Sequence, residues 1–202
     1  VARVLAAEAG FNGPSEQAFR QRFQQTTPPA MAKAKEDTAF YRHVRLLAAN
    51  DVGTDPTHFA RAAADLHALN EHHQAIWPHT MLTLSTHDSK RSEDVRARLA
   101  LLSEPDAAWP DTVHRWGTLL ADHRTAHPVA PAAELYLLQT LVGAWPIDAE
   151  RVVAHLVKAR REAKEETSWL EPDAQAEAHL EAFIRAVLDD HVFVAELNEY
   201  VH

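Results

Sequence analysis

Apolar residues in this chain recur at three- and four-residue intervals, in segments cut apart by prolines, and that pattern restricts the fold more than any other feature. Val113, Trp116 and Leu120 follow Pro110-Asp111, while Leu135, Leu138, Val142 and Trp145 lie between Pro131 and Pro146. Val152, Leu156 and Ala159 form another stripe, and Leu180, Phe183 and Val187 a further one. Phe59, Ala62, Leu66, Leu69 and Ile76 repeat the spacing, with Asp55-Pro56 as the expected start because proline fits a first helical turn. Each stripe lies on one face of a helix and has to be covered by another such face. With five Gly and hardly any alternating segment, the pattern predicts a mainly α, bundle-like domain with at most one or two short strands. Loops are expected at Pro28-Pro29, Pro78, Pro105 to Pro110, Pro128 to Pro131, Pro146 and Pro172. Residues 1–202 read as a single helical domain, with 128–131 as the candidate internal seam.

Composition removes several function classes. A chain of 202 residues with 46% apolar and 24% charged residues can bury a real core and is not a disordered tail. Its 29 acidic against 20 basic residues, a net charge of -9, argue against a nucleic-acid surface, which needs a concentrated basic face. A neutral partner such as a sugar is unaffected. No apolar run approaches the ~20 residues that span a bilayer, so no membrane partner is expected. The absence of Cys excludes disulfides and thiolate metal sites and fits a reducing, cytoplasmic setting. The first residue is Val, so the chain reads as a processed product or a piece of something longer.

The fourteen histidines invite a metal reading, concentrated at His67, His72, His73 and His79. Adjacent His72 and His73 point in different directions on a helix, and no His-Glu-x-x-His spacing occurs, so no metal is expected. The five Trp, at 77, 109, 116, 145 and 169, could stack on sugar rings, but their Leu and Val neighbours favour core filling.

One stretch departs from the helical background. In "HTMLTLSTHDSKRSEDVRARL", His79 to Leu99, the residues Met81 to Ser85 suit a short strand. Ser92 suits a helix cap, Glu93 and Asp94 a first turn, and Val95, Leu99 and Leu102 the buried stripe of that helix. His87 and Asp88 therefore fall in the turn between strand and helix, where α/β barrels keep their catalytic groups. Turn chemistry alone would make Asp88 a helix-entry residue.

"STHDSKRSEDVRARL" resembles the signature of maltooligosyltrehalose synthases, which belong to the α-amylase clan, glycoside hydrolase family 13. "QQTTPPAMAKAKEDTAFYRHVRLLAANDVGTDP", Gln24 to Pro56, is similar to a second segment of that family, departing from it at Ala34-Lys35 and at His43. "YLLQTLVGAWP", Tyr136 to Pro146, and "KARREAKEETSW", Lys158 to Trp169, are weaker matches in the family's order, although "EETSW" differs from the usual basic version.

The resemblance implies an internal fragment, a helical insertion or adjunct of a (β/α)8 barrel enzyme. It implies an isomerase, (1→4)-α-D-glucan 1-α-D-glucosylmutase, which converts the reducing-end α-1,4 linkage of a maltooligosaccharide into an α,α-1,1 linkage by intramolecular transfer. Enzymes of this clan are retaining, with an Asp nucleophile, a Glu acid/base and a further Asp that grips ring hydroxyls as positive charge develops. Only the last is matched here, as Asp88, so the isolated chain is expected to be inactive. The resemblance gives His87 a sugar hydroxyl to bond, and makes Lys90 and Arg91 candidates for contact with the acceptor sugar. A solvated charged surface remains the other reading for Lys90 and Arg91. Glu36, Asp37 and Tyr41 fall in the second motif, where packing is favoured over substrate contact. No cofactor is implied; the partners are a maltooligosaccharide and the remainder of the parent enzyme. The other reading of the whole chain is a non-catalytic helical binding module that keeps the family's outline.

Overall fold

The computed structural model describes residues 1–58 and 60–202. Among the described residues it is helical with no strand. Short α1 (Ala2–Leu5) leads into α2 (Pro14–Met31), which continues through a wide π-helical turn, Ala32–Ala39, into α3 (Phe40–Arg42). A 3-10 turn at Leu47–Ala49 follows, then α4 (Ala63–Ile76). The bundle proper is α5 (Glu93–Leu101), α6 (Trp109–Leu119), α7 (Ala121–Ala126), α8 (Pro131–Ala144), α9 (Ala149–Ala163), α10 (Ala174–Asp189) and α11 (His191–Val201).

The centre of the bundle is α8. Its run PAAELYLLQTLVGA is apolar nearly all round, and ten of its fourteen residues are buried, as expected of a helix covered on every side. Helices α5, α9 and α11 pack against it. The approach of α5 is close because position 143 is Gly: a Cβ there would stand 2.9 Å from Val95 Cγ1 and 3.1 Å from Leu99 Cγ. Val152, Leu156 and Ala159 of α9 and Leu180, Phe183, Ile184 and Val187 of α10 join the same core. Trp116 packs edge-on against Phe193 and Tyr200, its indole N–H donating to Glu196 at 3.0 Å. Three helix starts are capped by Asp148, Asp173 and Asp190, whose carboxylates accept from the first free backbone N–H groups.

Buried polar side chains fasten the segment Phe40–Asp51 to this core. Gln139 of α8 accepts from the Leu47 N–H at 2.8 Å and donates to the Val44 carbonyl at 2.7 Å. Asn50 donates to the Phe40 and His43 carbonyls. Four backbone groups of this irregular segment thereby find buried side-chain partners.

Four expectations need correction. Met81 to Ser85 forms no strand: Met81, Leu82 and Leu84 are exposed, and no neighbouring strand supplies the hydrogen bonds that extended backbone needs. The helix expected to start at Asp55-Pro56 begins at Ala63 instead, where Asp65 reaches back to accept from the Ala62 N–H. Its apolar residues Leu66, Leu69 and Ile76 are exposed, and Phe59 of the same stripe lies outside the described residues. No loop forms at Pro28-Pro29, which sit inside α2 and hand over to the π-helical turn. Of the tryptophans, Trp109 and Trp116 fill the core and Trp145 packs at its edge, but Trp77 and Trp169 are exposed.

Candidate functional site

The stretch 85–91 is a tight turn closed by its own small polar residues. The Ser89 N–H donates to the Thr86 carbonyl at 3.1 Å, Ser89 Oγ accepts from the Thr86 N–H at 2.8 Å, and Thr86 Oγ1 accepts from the Asp88 N–H at 3.2 Å. Bonds of this kind are how Ser and Thr favour turns over regular structure. They leave His87 and Asp88 at the tip: His87 is 91% and Asp88 71% exposed, with His87 Nε2 3.3 Å from Asp88 Oδ2. The Asp88 carboxylate is thus largely open to solvent. Ser92 occupies the N-cap position of α5, though its side chain makes no capping bond.

Lys90 and Arg91, two residues further on, are placed quite differently. The Lys90 ammonium is 14% exposed and lies 2.8 Å from Asp37 Oδ1, in the π-helical turn. Lys33 holds the other oxygen of Asp37 at 2.5 Å. Burial works to raise the Asp37 carboxyl, but the two ammonium groups overcome it and hold it below its ordinary value. Lys33 is correspondingly raised, first by its bond to Asp37, with small additions from Glu162 and Asp88. Arg91 is half-buried. Its guanidinium donates to the Leu47 and Asn50 carbonyls, each at 3.4 Å, and to the Tyr136 hydroxyl at 2.9 Å.

Behind Arg91 the polar contacts continue inward. With Arg91 donating to its oxygen, Tyr136 is free to offer its own proton to His155 Nε2, 3.2 Å away on α9. Burial pushes the Tyr136 phenol up to about 12 and the His155 imidazole down to about 4, so both are neutral at pH 7. Tyr41 stacks on Tyr136 with ring centroids 6.4 Å apart.

Buried Asp51 completes the arrangement. One of its carboxylate oxygens accepts from the Lys90 N–H at 3.3 Å, and the other meets Arg96 Nη1 at 3.1 Å. Arg96 also donates to the Leu84 carbonyl, and Ser85 bonds Glu93, so the turn is held on both flanks. The fourth matched stretch bonds the second: Lys164 donates to Thr38 at 2.9 Å, and Arg42 donates to the Ala163 and Lys164 carbonyls.

The second and third stretches that carry the family resemblance therefore bond the turn of the first, and the fourth bonds the second. His87, Asp88, Lys90 and Arg91 are together in the chain, but only the first two face outward. Arg96 belongs to the group Glu93, Asp94, Arg96 and Arg98 that the sequence reads as a structural charge network at the helix start, and its pairing with Asp51 is of that kind. Asp51, Tyr136 and His155 carry no such reading from sequence. Asp51 and Tyr136 lie inside matched stretches, which was the available signal; His155 has none, because a helical histidine looks the same whether it faces solvent or a buried phenol. The sequence-level preference for packing at Asp37 and Tyr41 agrees with their contacts. Among the described residues no group of three or more His, Asp or Glu could hold a metal ion, and no helix is long and apolar enough to cross a membrane. His67, His72, His73 and His79 are all exposed.

The architecture defines a class: a helical bundle that presents an exposed His-Asp turn anchored by part-buried ion pairs. No family model matches the chain. Its relatives and structural neighbours are nevertheless consistent. A Mycobacterium tuberculosis protein that carries the name of a maltooligosyl trehalose synthase is 35% identical over 196 residues, 89% of this chain and 24% of that protein. The structure of maltooligosyltrehalose synthase from Arthrobacter ramosus matches with a TM-score of 0.78 and 37% identity, covering 100% of this chain and 25% of its own. A glycosyltrehalose synthase structure matches with a TM-score of 0.81 and 31% identity, covering 96% and 28%. The resemblance to maltooligosyltrehalose synthases thus holds for both sequence and backbone, and the chain spans about a quarter of the length of the relatives it matches.

Proposed function

We propose that this chain is the part of a maltooligosyltrehalose synthase that supplies its transition-state-stabilising carboxylate. In the complete enzyme, a (1→4)-α-D-glucan 1-α-D-glucosylmutase of glycoside hydrolase family 13, the reducing-end α-1,4 bond of a maltooligosaccharide is broken and rejoined as an α,α-1,1 bond. Asp88 accepts hydrogen bonds from ring hydroxyls that strengthen as the ring gains oxocarbenium character. His87 donates to a neighbouring hydroxyl. The nucleophile and the acid/base come from the rest of the parent enzyme, so the isolated chain does not turn over substrate. No cofactor takes part.

The observation that supports this most is the contrast within one turn: His87 and Asp88 are open to solvent while Lys90 and Arg91 are tied down by protein partners. The apolar residues Leu66, Leu69, Ile76, Trp77, Met81, Leu82 and Leu84 are exposed in this chain, and the reading assigns their cover to the rest of the parent enzyme.

Asp88→Asn in the complete enzyme tests the assignment. It keeps shape and removes charge; kcat for trehalose-end formation is expected to fall at least about a hundredfold, the range of lost electrostatic stabilisation. An unchanged kcat would overturn it.

A further inference from the structure

We infer that Arg91, Tyr136 and His155 act as a positioning relay that fixes the Asp88 turn to the bundle. The inference rests on the reading of Asp88 given above. It revises the place of Arg91, whose guanidinium is committed to protein acceptors rather than offered to a sugar.

Three facts carry it. Arg91 is the only residue of the turn that reaches α8 by a side-chain bond among those described, and it does so at a single oxygen, the Tyr136 hydroxyl at 2.9 Å. That oxygen is fixed in turn by His155 at 3.2 Å, on a different helix, so the guanidinium meets an acceptor that cannot swing. The Tyr136 side chain is 2% exposed as a residue and stacked on Tyr41, which leaves it no access to substrate. Planar Arg can hold the Leu47 carbonyl, the Asn50 carbonyl and Tyr136 together because its donors are set in one rigid fork; Lys offers a single mobile ammonium. A catalytic carboxylate needs placement to within a fraction of an ångström; the bonds of Lys90 to Asp37 and Asp51 hold the turn to the segment before it, and Arg91 adds the tie to the bundle core through Tyr136.

Tyr136→Phe removes one oxygen and leaves the ring and its packing in place. In the 202-residue chain, backbone order parameters for residues 86–90 are expected to drop below about 0.6, while those of α8 and α9 stay near the ~0.85 of rigid backbone. In the complete enzyme, kcat is expected to fall about tenfold with KM changed by less than about twofold, the mark of an interaction expressed in the transition state. Arg91→Lys should reproduce the fall and Arg91→Gln deepen it. Because the relay works through Asp88, adding Tyr136→Phe to Asp88→Asn should cost no further activity.

Unchanged order parameters in Tyr136→Phe would overturn the inference. So would a tenfold loss that persists undiminished in the Asp88→Asn background, or a loss of kcat that merely tracks a loss of folded enzyme. If Asp88→Asn alone left kcat untouched, the sugar-binding reading would fall, and the order parameters would still decide whether the relay fixes the turn.

Discussion

Helices α4 and α8 have the same length, fourteen residues, yet α8 buries ten of them and α4 buries none. Both carry leucines at helical spacing, and both follow a plausible start. What separates them is the supply of complementary faces: α8 is met by α5, α9 and α11, whereas Leu66, Leu69 and Ile76 of α4 stay exposed, with no such surface among the described residues. Periodicity therefore reports that a helix has a face to cover, and the cover itself can belong to other polypeptide. The Asp88 turn lies between these two regimes, with a loose stretch before it and a packed helix after it.

The sharpest way to break this comparison is to empty the packed region and then the open one. Trp116→Ala or Phe183→Ala, both fully buried, should lower the unfolding free energy by about 3–5 kcal/mol in urea titrations. Leu69→Ala in α4 should stay within about 0.5 kcal/mol at an unchanged m-value. Equal effects would mean that α4 is packed in solution after all.

Acid should act on the packed region through His155. Its folded value, about 4, lies below the usual 6.5, so the unfolded chain binds a proton that the folded chain refuses between those values. Stability is complete above about pH 6.5 and falls as the pH drops toward 4, by up to ~3 kcal/mol from this group. His155→Gln should flatten that part of a plot of Tm against pH; an unaltered slope would show that the imidazole is already hydrated.

Gly143→Ala probes the close approach of α5 to α8. The added Cβ meets Val95 and Leu99, and a loss of about 1–3 kcal/mol is expected from overpacking. A smaller loss follows from Asp190→Ala, which removes the acceptor for the Val192 and Phe193 N–H groups and the partner of His123. About 1 kcal/mol is expected, read from the shift in urea midpoint. At the bottom of the scale, Met81→Ser and Leu82→Ser should leave stability within about 0.5 kcal/mol, read from an unchanged urea midpoint.

Much of the bundle was legible in the sequence because its signals agree with one another. Around Leu135–Val142, Val152–Ala159 and Leu180–Val187, spacing and flanking prolines point to helices that bury one another, and the structure adds the Asp148 and Asp173 caps, which the periodicity did not use. Met81 to Ser85 misled because β-suited composition says nothing about whether a partner strand exists in the same chain. Pro28-Pro29 misled because a proline pair is tolerated where the helix changes to a wider π-helical turn. In the site, the motif located Asp88 and His87 but could not tell an outward side chain from an anchored one. Lys90 and Arg91 look alike in sequence to any surface pair, and only the fold reveals Asp37 and Tyr136 beside them.

Amide hydrogen exchange followed residue by residue tests the division most directly. Exchange should be slowest in α8, α9 and α10 and fast in α4 and residues 77–85, with protection returning at Ser89 and Lys90, whose N–H groups bond Thr86 and Asp51. Protection in α4 equal to that of α8, or Ser89 and Lys90 exchanging as fast as 77–85, would contradict the picture of an open region joined to a rigid bundle by an anchored turn.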